Sequence, residues 1–270
     1  MGAVRAPLAA SAIAVAAALA LAGGAGASHG DDNPCKKSQA ATLLCPNLQM
    51  QPPSDLWIEE VDGRRLLHAR NSINSRGEGP AELRGRAHGP YTMKARQAIH
   101  KKGGGVKIVD TGAWLGWKAI PGQYHYWKFR NAGIFTIWSW SSKGRPIERV
   151  RRGPKQYYCL RDLERTWDSP RTPAEWVYPG CSQDHDIDRV TLGTSVGWSD
   201  VYPSTYHEQW IDVTGLEGKF GFYQVADPEN GLWENSEHDN AGLTVIRLPS
   251  GDVVRKRSRV DRPRKGVKPE

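Results

Sequence analysis

Five short segments in the second half of the chain gather most of the residue types that do chemistry. They are Gly153-Pro154-Lys155-Gln156-Tyr157-Tyr158-Cys159-Leu160-Arg161-Asp162, Gly197-Trp198-Ser199-Asp200-Val201-Tyr202-Pro203, Gln209-Trp210-Ile211-Asp212-Val213-Thr214-Gly215-Leu216, Ala226-Asp227-Pro228-Glu229-Asn230 and Glu234-Asn235-Ser236-Glu237-His238-Asp239-Asn240. Among them Lys155 offers an amine, Asp200 a carboxylate and Tyr202 a phenol. Taken one at a time, these residues have ordinary explanations. A lysine after Gly-Pro usually sits in a solvated turn, an aspartate in such a loop caps a turn, and a tyrosine before proline packs at a loop base. Trp210 and Ile211 read as core residues, so their segment speaks for a fold and not for catalysis.

Cysteine and histidine decide the metal chemistry. Cys35, Cys45, Cys159 and Cys181 lack the Cys-x-x-Cys spacing of a zinc site. An even count in an exported chain favours disulfides. Three pairings are open, of which Cys35–Cys45 with Cys159–Cys181 closes the most local loops. His88, His100, His185, His207 and His238 are scattered without metal-type spacing, and His207 is the one nearest Tyr202 in sequence.

Short strands with turn residues between them must position these segments. Asp55–Val61 and Arg64–Ala69 flank Asp62-Gly63, a pair suited to the positive φ angles of a tight hairpin. Asn71–Gly79 reads as a polar loop. Further strands are expected around Ala81–Arg84, Tyr91–His100, Val106–Val109, Trp114–Ile120 and Phe129–Trp140. Four more follow at Gly153–Leu160, Trp210–Thr214, Gly221–Ala226 and Leu243–Leu248. This spacing predicts an all-β fold, a β-sandwich core with long loops and little helix.

Residues 1–27 read as a secretory signal peptide. Arg5 precedes an uncharged, Ala-rich run, and Ala25-Gly26-Ala27 supplies small residues for cleavage. A membrane anchor is opposed by the shortness of that run and by Ser28-His29-Gly30-Asp31-Asp32 after it, where a stop-transfer sequence would be basic. The expected location is therefore secreted or at the extracellular surface, with no membrane span. Cleavage lowers the net charge from +8 to +7, which points weakly to acidic surroundings. No nucleic-acid motif is present. The expected organisation is an irregular N-terminal arm over 28–53, a β domain over 54–250 and a basic, disordered tail over 251–270.

The five segments, in this order and spacing, resemble the catalytic domain of the lysyl oxidase family, from about Pro121 to Leu248. Leu48–Leu83 looks like the N-terminal part of bacterial members. The resemblance implies copper-dependent oxidative deamination of primary amines, on protein lysine or a small amine, with release of an aldehyde, hydrogen peroxide and ammonia. It implies a lysine tyrosylquinone cofactor made from Lys155 and Tyr202, with Asp200 as general base. A tyrosine oxidised to a quinone is an electrophile that a neighbouring lysine attacks, and the quinone then forms a Schiff base with the substrate amine. The family holds copper with a His-x-His-x-His strand. The corresponding segment here is Gly122-Gln123-Tyr124-His125-Tyr126-Trp127-Lys128-Phe129. One alignment leaves His125 as the middle ligand between Gln123 and Trp127. Shifted by one residue, Lys128 replaces the last histidine and brings a positive charge to a cation's place. Three functions follow: a secreted copper- and quinone-dependent amine oxidase, a lysyl-oxidase-like extracellular binding or envelope module that has lost copper, or a purely structural envelope protein, which no motif favours. Trp114, Trp117, Tyr124, Tyr126, Trp127, Trp138 and Trp140 would serve such a module if exposed, and most of them read as core.

Overall fold

The computed structural model describes residues 32–263. The proposed signal peptide therefore lies outside the described residues, as do the last seven positions of the tail. The regular structure of the described chain is nearly all strand, and no helix reaches seven residues. It begins with two 3-10 turns, Pro34–Lys36 and Ser38–Thr42. The strands are β1 (Leu43–Leu44), β2 (Leu48–Met50), β3 (Ser54–Val61), β4 (Arg64–Ser75), β5 (Ala81–Gly89), β6 (Thr92–Lys101), β7 (Val106–Val109), β8 (Trp114–Ala119) and β9 (His125–Phe129). They continue with β10 (Gly133–Trp140), β11 (Pro146–Arg152), β12 (Glu164–Arg165), β13 (Arg189–Thr194), β14 (Trp198–Tyr202), β15 (Trp210–Asp212), β16 (Gly218–Ala226), β17 (Ala241–Leu248) and β18 (Asp252–Val260).

Three antiparallel sheets form from these strands. One runs β13-β5-β6-β8-β9, with β1 and β7 also pairing β6; a second runs β11-β10-β16-β17-β18. The third is built on β4, which pairs β14, β15, β2 and β3 at different points along its length. Each sheet turns apolar side chains into one shared core. Leu83, Met93 and Leu115 come from the first sheet, Phe135, Phe222 and Ile246 from the second, and Leu67, Ile73 and Ile211 from the third. This is the expected all-β, sandwich-like fold, with the long irregular stretch 153–188 interrupted only by β12.

The Asp62-Gly63 hairpin forms as its turn chemistry requires: φ is 51° at Asp62 and 71° at Gly63, and Val61 pairs Arg64. Both local disulfides, Cys35–Cys45 and Cys159–Cys181, are present.

Elsewhere, polarity and local turns mislead the sequence reading. The apolar run Phe129–Trp140 is two strands, because Asn131 adopts φ 56° and turns the chain between β9 and β10. Asn71–Ser75 is strand and not loop. Its buried side chains bond across the fold, Asn71 Nδ2 donating to Tyr158 Oη at 3.0 Å and Asn74 Oδ1 accepting from Ser199 Oγ at 2.7 Å. Gly153–Leu160 is not a continuous strand; it meets the sheets through separate backbone bonds, a bridge of Tyr158 to Phe129, Gly153 N–H to the Phe135 carbonyl and Gly193 N–H to the Leu160 carbonyl. The N-terminal arm is partly regular, and Leu48 and Met50 of β2 lie in the main core.

The tail from 251 is not disordered up to Val260. β18 covers the edge of β17, and its Lys and Arg side chains are those of an edge strand whose outer face stays wet.

Candidate functional site

The site is built where the irregular segment 153–162 crosses β14. In β14, side chains two residues apart share a face, so Asp200 and Tyr202 point the same way. Two consecutive backbone amides of the crossing segment grip them. Cys159 N–H donates to Tyr202 Oη at 2.9 Å, and Leu160 N–H donates to Asp200 Oδ2 at 3.2 Å. Gly153 sets the approach of this segment. A Cβ there would stand 2.8 Å from the Trp210 carbonyl oxygen of β15, so only glycine lets the chain pass.

Lys155 is thereby carried into the interior, with 1 % of its surface exposed. Its Nζ stands 4.3 Å from the ring centroid of Tyr202, 4.7 Å from that of Tyr206 and 5.2 Å from that of Tyr158. These contacts are cation–π in character and partly replace the lost water. Burial pushes the Lys155 ammonium down to about 7, helped by the like charge of Lys128 and opposed by Glu208 and Asp200. Asp200 is fully buried and is pushed up to about 6, with Lys128, Arg161 and Lys155 pulling the other way. Its Oδ1 has no hydrogen-bond partner among the described residues. Burial also raises the Tyr202 phenol far above its ordinary value, reinforced by Asp200.

β9 settles what faces Tyr202. Its side chains alternate, and Tyr126 and Lys128 line the same cavity as Tyr202 and Tyr206. Lys128 is 2 % exposed; its Nζ lies 5.5 Å from the ring centroids of Tyr126, Tyr202 and Tyr206 and 3.5 Å from Tyr206 Oη. Burial lowers it to about 8. His125 and Trp127 take the opposite face. His125 is exposed and stacks on Trp117 at 5.8 Å, away from the pair formed by Lys155 and Tyr202. The structure therefore brings Lys155, Tyr202 and Asp200 together and leaves His125 out.

A copper centre of the kind the sequence resemblance implied does not fit these residues. The face of β9 that meets Tyr202 carries a phenol and an ammonium where imidazoles would be needed, and an ammonium repels a cupric ion. Among the described residues no group of three His, Cys, Asp or Glu side chains is arranged to hold a metal. His207 pairs with Glu208 at 3.3 Å, and burial lowers its affinity for a proton. His100 and His238 are tied to Glu82 and Asp261.

Tyr206 and Arg161 join the site without having been singled out from sequence. Tyr206 packs edge-to-face on Tyr202 at 4.9 Å, and burial raises its phenol to about 12. Its signal was its place four residues after Tyr202. Arg161 lies in the segment Gly153–Asp162, and only the structure turns it to the cavity.

Of the aromatic residues noted as possible binding surface, Trp127 and Trp138 are core and Tyr124 is exposed; Trp114, Trp117, Tyr126 and Trp140 are half-buried. Trp210 is half-buried too, not core as expected, whereas Ile211 is fully buried. Gln209, beside them, donates from Nε2 to Asn71 Oδ1 at 3.0 Å and so ties β15 to the support of Tyr158.

The lysyl oxidase family model matches residues 110–254, which include every residue of the pocket just described. No curated protein matches the chain. With a family match over more than half its length, the chain belongs to the lysyl oxidase family.

Proposed function

We propose that this is an exported lysyl oxidase family protein that keeps the pair Lys155–Tyr202 but has a fixed ammonium, Lys128, in place of copper. It then acts outside the cytosol as a binding module. The observation that carries this reading is the position of Lys128: a buried cation over the same tyrosine ring that Lys155 covers. In this reading Asp200 is a counter-charge. It balances one of the two buried ammonium groups and holds Leu160 in place. Two disulfides suit an oxidising compartment, and no helix among the described residues is long and apolar enough to cross a membrane.

The amine oxidase is the second reading, favoured by the 4.3 Å approach of Lys155 Nζ to the Tyr202 ring. In it, Lys155 and Tyr202 would hold a quinone cofactor that, with dioxygen as oxidant and water, would take a protein lysine or small amine to an aldehyde, ammonia and hydrogen peroxide, and Asp200 would accept the substrate α-proton.

One preparation separates the two. The purified protein is loaded with cupric ion, freed of excess metal, and tested for bound copper, quinone absorbance and redox-cycling stain. The binding module gives a colourless protein without stain, whose intact mass shows no link between Lys155 and Tyr202. Stoichiometric copper with a quinone band overturns it, and Tyr202→Phe must then abolish that band.

A further inference from the structure

The cavity in front of Tyr202 holds more positive charge than its own residues neutralise. It has a volume of about 650 Å³ and is lined by Lys128, Arg161, Tyr126, Tyr202, Tyr206 and Gln183, among others. Nearby Lys118 is spoken for, because its Nζ pairs with Glu208 at 2.8 Å. Asp200 lies behind the wall and is shared by Lys128, Arg161 and Lys155. One carboxylate among three cations leaves an excess of positive charge at the cavity.

Lys128 is nine-tenths buried and more, and among the described residues it forms no ion pair; its one hydrogen-bond contact is the long one to Tyr206 Oη. Arg161, half-buried beside Gly180, forms neither hydrogen bond nor ion pair among the described residues. A buried ammonium that has no direct ion pair and only a share in one carboxylate is unfavourable unless something supplies more negative charge. A guanidinium that presents its fork to a cavity is suited to a carboxylate. The tyrosine rings beside them offer flat apolar faces.

We propose that this cavity is an anion-binding site, in which Lys128 and Arg161 take the carboxylate of an organic acid while Tyr126 and Tyr206 flank its ring. The inference rests on the binding-module reading and gives it a ligand class. It also explains why a primary amine would be a poor guest: an alkylammonium entering here meets two like charges before it reaches Tyr202.

Three isosteric probes test it on the intact, disulfide-bonded protein by titration calorimetry. Benzoate, benzyl alcohol and benzylamine share a ring and differ in charge. Benzoate is expected to bind at least ~10-fold more tightly than benzyl alcohol, since charge-assisted hydrogen bonds are worth about that factor or more. Benzylamine is expected to bind most weakly. Arg161→Gln and Lys128→Met should each remove most of the preference for benzoate while leaving benzyl alcohol within about twofold. The probe comparison on the unsubstituted protein stands whether or not a variant folds. Equal binding of the three probes, preference for benzylamine, or no binding of benzoate overturns the proposal. None of these results depends on copper, so loss of the anion site and loss of the binding-module reading are separately visible.

Discussion

At the scale of single residues, the site is a contest between burial and charge. Lys128 and Lys155 hold their protons more weakly in the fold than in the unfolded chain, because burial has moved them from 10.5 to about 8 and about 7. Stability from this source is therefore complete only above about pH 10.5 and is lost as pH falls through 8 and then 7. Asp200 has the opposite sign. Its raised value contributes stability below about pH 4 that is lost as pH rises through 6. Lys128→Met, similar in volume and uncharged, should stabilise the protein at pH 7 by ~1–3 kcal/mol, an advantage that shrinks toward pH 10.5. Denaturant unfolding of both proteins at pH 7 and 10 checks this; a pH-independent difference contradicts it. Tyr202→Phe leaves the buried Cys159 N–H without its acceptor and should cost about 1–3 kcal/mol by the same measurement. The residues of this contest were only partly legible in the sequence. Lys155, Asp200 and Tyr202 stood in family positions, whereas the side on which Lys128 faces depended on the pleat of β9. His125 was the natural ligand to choose while that pleat was unknown, and it turned out to face Trp117.

At the scale of elements, the segment 153–162 matters more than any strand. It carries Lys155 inward, grips Asp200 and Tyr202 through adjacent amides, and returns Arg161 to the cavity. Its path depends on Gly153 passing the Trp210 carbonyl. Gly153→Ala should therefore destabilise the fold by about 1–3 kcal/mol through overpacking and weaken the proposed binding of benzoate, since the segment must move as a unit. Measuring melting temperature and affinity together tests it; a fully stable variant with unaltered binding contradicts the positioning role. Its sequence, with Tyr157, Tyr158 and Leu160, reads as strand because those side chains are indeed buried or half-buried. What the pattern could not convey is that the amides of Cys159 and Leu160 bond to side chains of β14, while only isolated ones, those of Gly153 and Tyr158, reach a neighbouring strand. The hairpin of β3 and β4 was legible for the opposite reason: Asp62-Gly63 fixes its geometry locally. β18 was missed because edge strands and disordered tails share a basic composition, and only the free edge of β17 tells them apart.

At the scale of the whole molecule, three sheets share one core, and the Cys159–Cys181 bond cross-links the long stretch 153–188 within itself. This bond closes a loop of 22 residues whose ends flank the cavity. Replacing Cys159 and Cys181 together by serine should lower stability by about 2–4 kcal/mol, read as a shift in the urea midpoint, and an unchanged midpoint contradicts that role. The all-β class and the family were legible from strand spacing and from the five segments. The metal site was not, because the family's histidine strand has become one whose inward face is Tyr126 and Lys128. The most direct test of the central claim, that an ammonium occupies the place of copper, is the copper content of the intact protein after loading with cupric ion and removal of the excess. Far less than one copper per chain is the result expected of a pocket closed by Lys128. One tightly held copper per chain, accompanied by a quinone band that disappears in Tyr202→Phe, would contradict it.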